Sequence, residues 1–163
     1  MSDYRFYMQK VVWDDATKEY ANYYYENGEQ VLYAICDLEL DFDGLRYAKC
    51  EGLNSIGEHR VYVEEYADDS RKRVYMSNTP THKSTEVKLT LYFIGDNRQA
   101  SFDSFNEYIT DGFHAYWDTA RNKKIVFYLS KPVSPSDDKV VGNTPYIEVT
   151  YTLSNVYGKA TNV

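Results

Sequence analysis

The chain is poor in cysteine, in long apolar runs and in basic residues. Its only cysteines are Cys36 and Cys50, which is too few for a disulfide framework, so we expect two free thiols and a reducing compartment. The longest apolar run, Val31–Cys36, falls far short of the ~20 residues that span a bilayer, so we predict no membrane association. Residues Met1–Arg5 contain neither a basic segment nor an apolar stretch. We therefore expect no signal peptide and synthesis in the cytoplasm.

Charge and motifs exclude several functional classes. The chain has 18 basic and 25 acidic residues, a formal charge of −7, whereas tight nucleic-acid binding requires cations that neutralise phosphates. The histidines His59, His82 and His114 have no second histidine or cysteine at ligand spacing, so we predict no metal site. No G-x-S-x-G, Walker, Rossmann or H-E-x-x-H pattern occurs. We predict no catalytic residues, no cofactor and no enzymatic activity.

Adjacent carboxylates are the remaining candidates for acid–base chemistry. Such chemistry needs two carboxylates in unlike environments across a cleft, whereas neighbours in a turn both face solvent. We therefore interpret these pairs as solvated charge: Asp14-Asp15, Glu64-Glu65, Asp68-Asp69 and Asp137-Asp138.

Period-2 alternation of apolar and polar residues recurs along the whole chain and predicts strands with one wet face. The sequence therefore indicates a mainly β (α+β) fold, an antiparallel β-sandwich or a barrel-like sheet. The predicted buried faces are Tyr4/Phe6/Met8, Val61/Val63, Val87/Leu89/Leu91/Phe93, Ile125/Phe127/Leu129 and Ile147/Val149/Tyr151/Leu153.

One helix interrupts this pattern. Phe102, Phe105 and Ile109 share one helical face, and Gly112 lies where a helix-terminating glycine belongs. We predict a helix near residues 97–111.

The chain length predicts a single domain, residues 1–163, with a β-meander over residues 1–45 packed on it. In that meander, Asn27-Gly28 predicts a two-residue hairpin turn between the strands 20–26 and 29–36. Leu38, Leu40 and Phe42 continue the alternation up to a turn at Asp43-Gly44. The small polar residues 158–163 are predicted to fray.

Tyrosine is the most unusual component, with 18 of 163 residues. Three roles remain open for the exposed ones: cross-strand pairing, a protein interface, or a sugar-stacking platform. Sheet packing alone does not account for two clusters, the run Tyr23-Tyr24-Tyr25 and the pair Tyr116-Trp117. We predict that Tyr23, Tyr24, Tyr25, Tyr116 and Trp117 form an interface.

The order of elements from about residue 40 to 157 resembles a known domain. It runs from a strand (86–94) through Gly95, the helix and Gly112 to the segment 116–121, a strand (124–129), a proline-bearing loop and a strand (145–153). This order resembles the β-sandwich-plus-helix domain of bacteriophage tail-tube and distal tail (baseplate hub) proteins. The Tyr-rich N-terminal meander lies outside the resemblance.

The resemblance implies a structural, non-enzymatic subunit of a phage or prophage tail. Such subunits assemble into rings, commonly hexamers, around a channel for DNA, and contact other tail and baseplate proteins. The resemblance thus implies a place in the virion tail. The alternative is a carbohydrate- or ligand-binding β-sandwich module with the five aromatic residues as its platform.

Overall fold

The structure, a computed structural model, describes residues 5–58, 82–133, 135 and 138–162, and the backbone alone of 62–65 and 72–75. Its helices are α1 (Leu38–Asp41) and α2 (Arg98–Thr110). Its strands are β1 (Phe6–Asp14), β2 (Glu19–Ala21), β3 (Tyr23–Glu26), β4 (Glu29–Leu32), β5 (Ile35–Asp37), β6 (Leu45–Glu51), β7 (Tyr62–Glu65), β8 (Lys72–Tyr75), β9 (Thr85–Ile94), β10 (Phe113–Asp118), β11 (Lys123–Leu129), β12 (Lys139–Val141), β13 (Thr144–Asn155) and β14 (Thr161–Asn162).

Most of the strands form one antiparallel sheet in the order β2-β1-β10-β11-β13-β9-β6. Strand β5 pairs with β1, β12 with β13, and β14 with β11. Two hairpins, β3–β4 and β7–β8, form separate two-stranded sheets. The prediction of a mainly β, antiparallel fold is confirmed.

The main sheet curls until its two ends meet. Phe6 in β1 and Tyr47 in β6 stack with 3.9 Å between their ring centroids, although their strands lie near opposite ends of the sheet order. The guanidinium of Arg121 also donates a hydrogen bond of 3.1 Å to the carbonyl of Cys50 in β6. The sheet therefore wraps around a core and has the predicted barrel-like form.

Helix α2 covers the core. Phe105 and Ile109 are fully buried and Phe102 is half-buried, as the spacing of these residues predicts. The ring of Phe105 packs against Phe42 and Tyr151, with centroid separations of 5.2 and 5.3 Å. The predicted strand faces that point toward this helix are buried: Val87/Leu89/Leu91/Phe93 and Ile147/Val149/Tyr151/Leu153.

The helix prediction is confirmed, since α2 spans Arg98–Thr110 and Gly112 follows it with φ +77°. The short helix α1 was not predicted. Residues 38–42 were interpreted as alternating strand, but side-chain hydrogen bonds favour a turn of helix here. The Asp41 carboxylate accepts from the Asp37 backbone N–H, and the Glu39 carboxylate from that of Tyr47.

The N-terminal strands are shorter than predicted. The predicted strand 20–26 is divided at Asn22 into β2 and β3, and the predicted strand 29–36 is divided after Leu32 into β4 and β5. The two-residue turn at Asn27-Gly28 is confirmed, because Glu26 pairs with Glu29 across it and both turn residues have positive φ.

Some predictions lie outside the described residues, namely those for Tyr4, Val61 and the side chain of Val63. The single domain 1–163 stays a prediction. Within 158–162, Thr161 and Asn162 pair with β11, and Ala160 is buried. Fraying of this segment concerns motion and stays a prediction.

Candidate interaction surface

The β3–β4 hairpin presents aromatic and apolar side chains on both of its faces. Side chains of cross-strand partners share a face, so the pairing of Tyr23 with Leu32 and of Tyr25 with Gln30 places these four together. Tyr24 lies on the opposite face, where its ring packs 4.9 Å from that of Tyr33. No third strand of the described residues pairs with this hairpin.

Large side chains are exposed both near the tip of the hairpin and at its base. Tyr23 is half-buried, and its hydroxyl donates to the Asp14 carboxylate at 3.1 Å, which raises the pKa of Tyr23. Tyr25 is 66% exposed and Leu32 is 63% exposed, although both are large and largely apolar. Tyr24 is 37% exposed. The face of the hairpin that carries Tyr23, Tyr25 and Leu32 is therefore a candidate contact surface.

A buried glutamine fixes the base of the hairpin. Gln9 is 3% exposed and points away from the core side of β1, where Met8 is buried. Its amide nitrogen donates to the Tyr33 carbonyl at 2.8 Å, and its amide oxygen accepts from Asn22 at 3.2 Å. Sequence reasoning missed Gln9, whose only signal is its place on the same face of β1 as Tyr7 and Val11.

The pair Tyr116-Trp117 is divided between the two faces of β10, because successive strand residues alternate. Tyr116 is fully buried, and burial raises its pKa well above the ordinary value. A fully buried side chain offers a partner no contact area, so the structure removes Tyr116 from the predicted interface.

Trp117 points outward on the face of the sheet that also carries the base of the hairpin, which we call the outer face. It is half-buried, and its ring lies 5.5 Å from that of Tyr7. The Lys124 ammonium lies 5.5 Å from the centroid of the Trp117 ring, at a cation–π distance. Trp117 is therefore partly used by packing within the chain and partly open.

A groove of about 290 Å³ runs across the outer face beside Trp117. Ala115 and Val126, which are cross-strand partners, line it with apolar surface, and the small alanine leaves room between larger neighbours. Tyr20 and Tyr23 line it from the side of the hairpin, and Lys124 also lines it. Sequence reasoning named Tyr23 but missed Tyr20 and Lys124.

The five predicted interface residues therefore do not form one stacking platform. Tyr116 lies inside the barrel-like sheet, and Tyr24 points away from the hairpin face of Tyr23 and Tyr25. Trp117 lies on the outer face beside the groove that Tyr23 lines. The structure brings Tyr23, Tyr25 and Trp117 to neighbouring surfaces and leaves the other two elsewhere.

In the described part of the chain, no three His, Cys, Asp or Glu side chains cluster at metal-binding distance. His114 is fully buried, His82 contacts the Gly57 carbonyl at 2.9 Å, and His59 lies outside the described residues. Cys36 and Cys50 are free thiols, as predicted, and burial raises the pKa of each to about 12.

The carboxylate pair Asp14-Asp15 forms local hydrogen bonds. One Asp14 oxygen accepts from the Ala16 backbone at 3.0 Å, and Asp15 accepts from the Trp13 indole at 2.8 Å. The backbone hydrogen bond lowers the pKa of Asp14. In each of the remaining pairs, at least one side chain lies outside what the structure describes.

Within the described ranges, neither helix has the length and apolar character needed to cross a bilayer.

The fold is that of one curled antiparallel sheet covered by a helix, with an aromatic hairpin on its outer face. No protein-family model matches the chain, and no curated protein matches its sequence. Among solved structures, the chain is similar to the SPP1 Dit (gp 19.1) protein, described as a paradigm of the hub adsorption apparatus in phages that infect Gram-positive bacteria.

That similarity covers 90% of this chain and 49% of the other, with 11% sequence identity and a TM-score of 0.44. This chain thus spans about half the length of that protein. The element order of the sequence resembles the same class of phage protein. A likeness this distant carries no argument about function.

Proposed function

We propose that the chain is a structural, non-enzymatic subunit of a phage or prophage tail and that its copies assemble into a ring around a channel. The ring has six subunits, as the sequence resemblance implies, and other tail or baseplate proteins bind to it. The chain is made in the cytoplasm and ends in the virion tail.

The observation that carries the proposal is the exposed face of the β3–β4 hairpin, on which Tyr25 and Leu32 lie. An isolated two-stranded hairpin is marginally stable in water, so apolar side chains on it favour a partner that covers them. Burying a side chain such as Leu32 contributes about 1.5–3 kcal/mol, and tyrosines such as Tyr25 are enriched at protein interfaces. Self-assembly supplies that partner.

The order of elements supports the tail-type assignment. The resemblance depends on a long strand, a helix, the segment 116–121, a strand, a proline-bearing loop and a final strand. These correspond to β9, α2, β10–β11 and β13. The connection between β11 and β13 contains Pro132 and Pro135 and is the proline-bearing loop of that order.

The charge is compatible with a channel for DNA. Each copy carries a formal charge of −7, and copies in a ring add their charges. A negative lumen repels phosphates, so DNA passes without adhering to the wall. We therefore propose no tight binding of nucleic acid.

The test is the oligomeric state of the purified chain. Mass photometry at micromolar concentration should give one dominant species of several subunits, and negative-stain images should show closed rings with a central hole. A chain that stays monomeric over this range, and that forms neither rings nor tubes, contradicts the proposal.

A further inference from the structure

The tip of the β3–β4 hairpin carries unbalanced negative charge. Glu26 and Glu29 are directly opposite each other across the turn, and both are exposed. Like charges at opposed positions destabilise a strand pair. Neither carboxylate has a basic partner among the described residues, although other surface carboxylates such as Glu58 and Asp138 do. The tip therefore suits a cationic surface on another molecule.

The groove on the outer face has lining residues of both charges, with Lys124 of β11 and Glu19 of β2. The Lys124 ammonium, which lies near the Trp117 ring, has no carboxylate partner in the described part of the chain. The neighbouring Ala115 and Val126 supply apolar surface. The groove thus combines this cation, which has no ion-pair partner among the described residues, with the Glu19 carboxylate and an apolar, aromatic lining.

The size of the groove indicates that its occupant is an inserted side chain and not a free ligand. Pockets for drug-sized molecules measure about 300–1,000 Å³ and enclose most of the ligand. A groove of about 290 Å³ that is open along one side is better suited to one or two inserted side chains. Tyr25 of the same copy is 66% exposed and is not among the residues that line the groove, so it does not fill this space.

We propose, on the basis of the self-assembly proposed above, that the hairpin of one copy docks into the outer-face groove of a second copy. Tyr25 enters the groove between its aromatic and apolar walls, and Glu26 and Glu29 pair with Lys124. The two contacting surfaces differ, so the contact is heterologous. Repetition of a heterologous contact gives a ring when the rotation closes.

Charge reversal tests the contact. Lys124→Glu and the double change Glu26→Lys/Glu29→Lys should each raise the dissociation constant of the oligomer about tenfold or more, because close charge pairs at interfaces couple strongly. The triple variant, with all three reversals in one chain, should assemble again. The matched control is Lys88→Glu, an exposed lysine on β9, three strands from β10 in the sheet, which should assemble as the wild type does.

Mass photometry of the four variants and the wild type separates the outcomes. If the wild type forms oligomers and the single-surface variants assemble equally well, the docking contact is wrong and the proposed function stands. If the single-surface variants dissociate and the triple variant stays dissociated as well, Glu26 and Glu29 do not pair directly with Lys124, and the docking contact is again wrong. A monomeric wild type overturns both proposals. Recovery in the triple variant excludes misfolding as the cause of the loss.

Discussion

The imidazole of His114 packs against the phenol ring of Tyr108, with 4.6 Å between the ring centroids. The contact joins β10 to helix α2, and neither His114 nitrogen nor the Tyr108 hydroxyl has a hydrogen-bond partner among the described residues. Burial lowers the pKa of His114 to about 4, with a smaller contribution from the Lys10 ammonium that Asp111 opposes. One of the contacts between helix α2 and the sheet is therefore made by a histidine that is buried in its neutral form.

Stability should decrease as the pH falls below about 6.5, the pKa of an unfolded histidine. Between pH 6.5 and 4, the unfolded chain takes up a proton that buried His114 excludes, so the free energy of unfolding falls. At pH 5 this effect amounts to about 2 kcal/mol. His114→Leu should remove this part of the decrease. Denaturant unfolding of both proteins at pH 7.5 and 5 measures it, and an equal decrease in both contradicts the prediction.

Phe105 should be the most costly residue of α2 to truncate. Its ring is fully buried and contacts rings from the α1–β6 connection and from β13. Phe105→Ala should lower the free energy of unfolding by about 3–5 kcal/mol, because it leaves a cavity in the core. Glu107→Ala, on the exposed side of the same helix, should change it by less than about 0.5 kcal/mol. Comparable losses in the two variants would show that the helix does not anchor the core.

The sequence predicts the fold where the apolar residues are unambiguous. In β9, Val87, Leu89 and Leu91 alternate with Glu86, Lys88 and Thr90, so one face had to be buried. Helix α2 was equally clear, because three aromatic or aliphatic residues share one face within polar surroundings.

In β10, the alternation of residues does not determine which of the two faces of the strand is buried. Phe113, Ala115 and Trp117 compete with His114, Tyr116 and Asp118, and both sets contain large aromatic residues. The second set is inside because Tyr116 packs in the core and Asp118 caps the following turn, accepting from Ala120 at 2.8 Å. Such a cap depends on a turn geometry that alternation does not encode. This is why the predicted interface included the buried Tyr116 together with Trp117.

Neither thiol should react readily in the folded chain. The thiolate is the nucleophile, and burial raises the pKa of Cys36 and of Cys50 to about 12. At pH 8 roughly one thiol in ten thousand is then ionised, against about a quarter for a free cysteine. Ellman's reagent should therefore label the native protein slowly and label both thiols at once in guanidinium chloride. Rapid native labelling that Cys36→Ser abolishes would show that Cys36 is not protected.

Gly44 should tolerate no side chain, although it lies in a surface turn. It adopts φ +78°, and a Cβ there would overlap the carbonyl oxygen of Ile94, whose backbone N–H donates to the Gly44 carbonyl at 2.9 Å. Gly28, in the hairpin turn, has φ +80°, but a Cβ added there would meet only open space.

Comparing alanine substitutions at the two glycines thus separates the cost of backbone strain from the cost of steric overlap. Gly28→Ala should cost about 1–2 kcal/mol, the penalty of the left-handed conformation alone. Gly44→Ala should cost more, because the overlap with backbone atoms also forces the β6 and β9 ends apart. Thermal unfolding of the two variants measures the difference. Equal shifts in melting temperature would mean that the turn at Gly44 moves away from β9 without cost. The close contact between the two backbones would then contribute nothing to the stability of this end of the sheet.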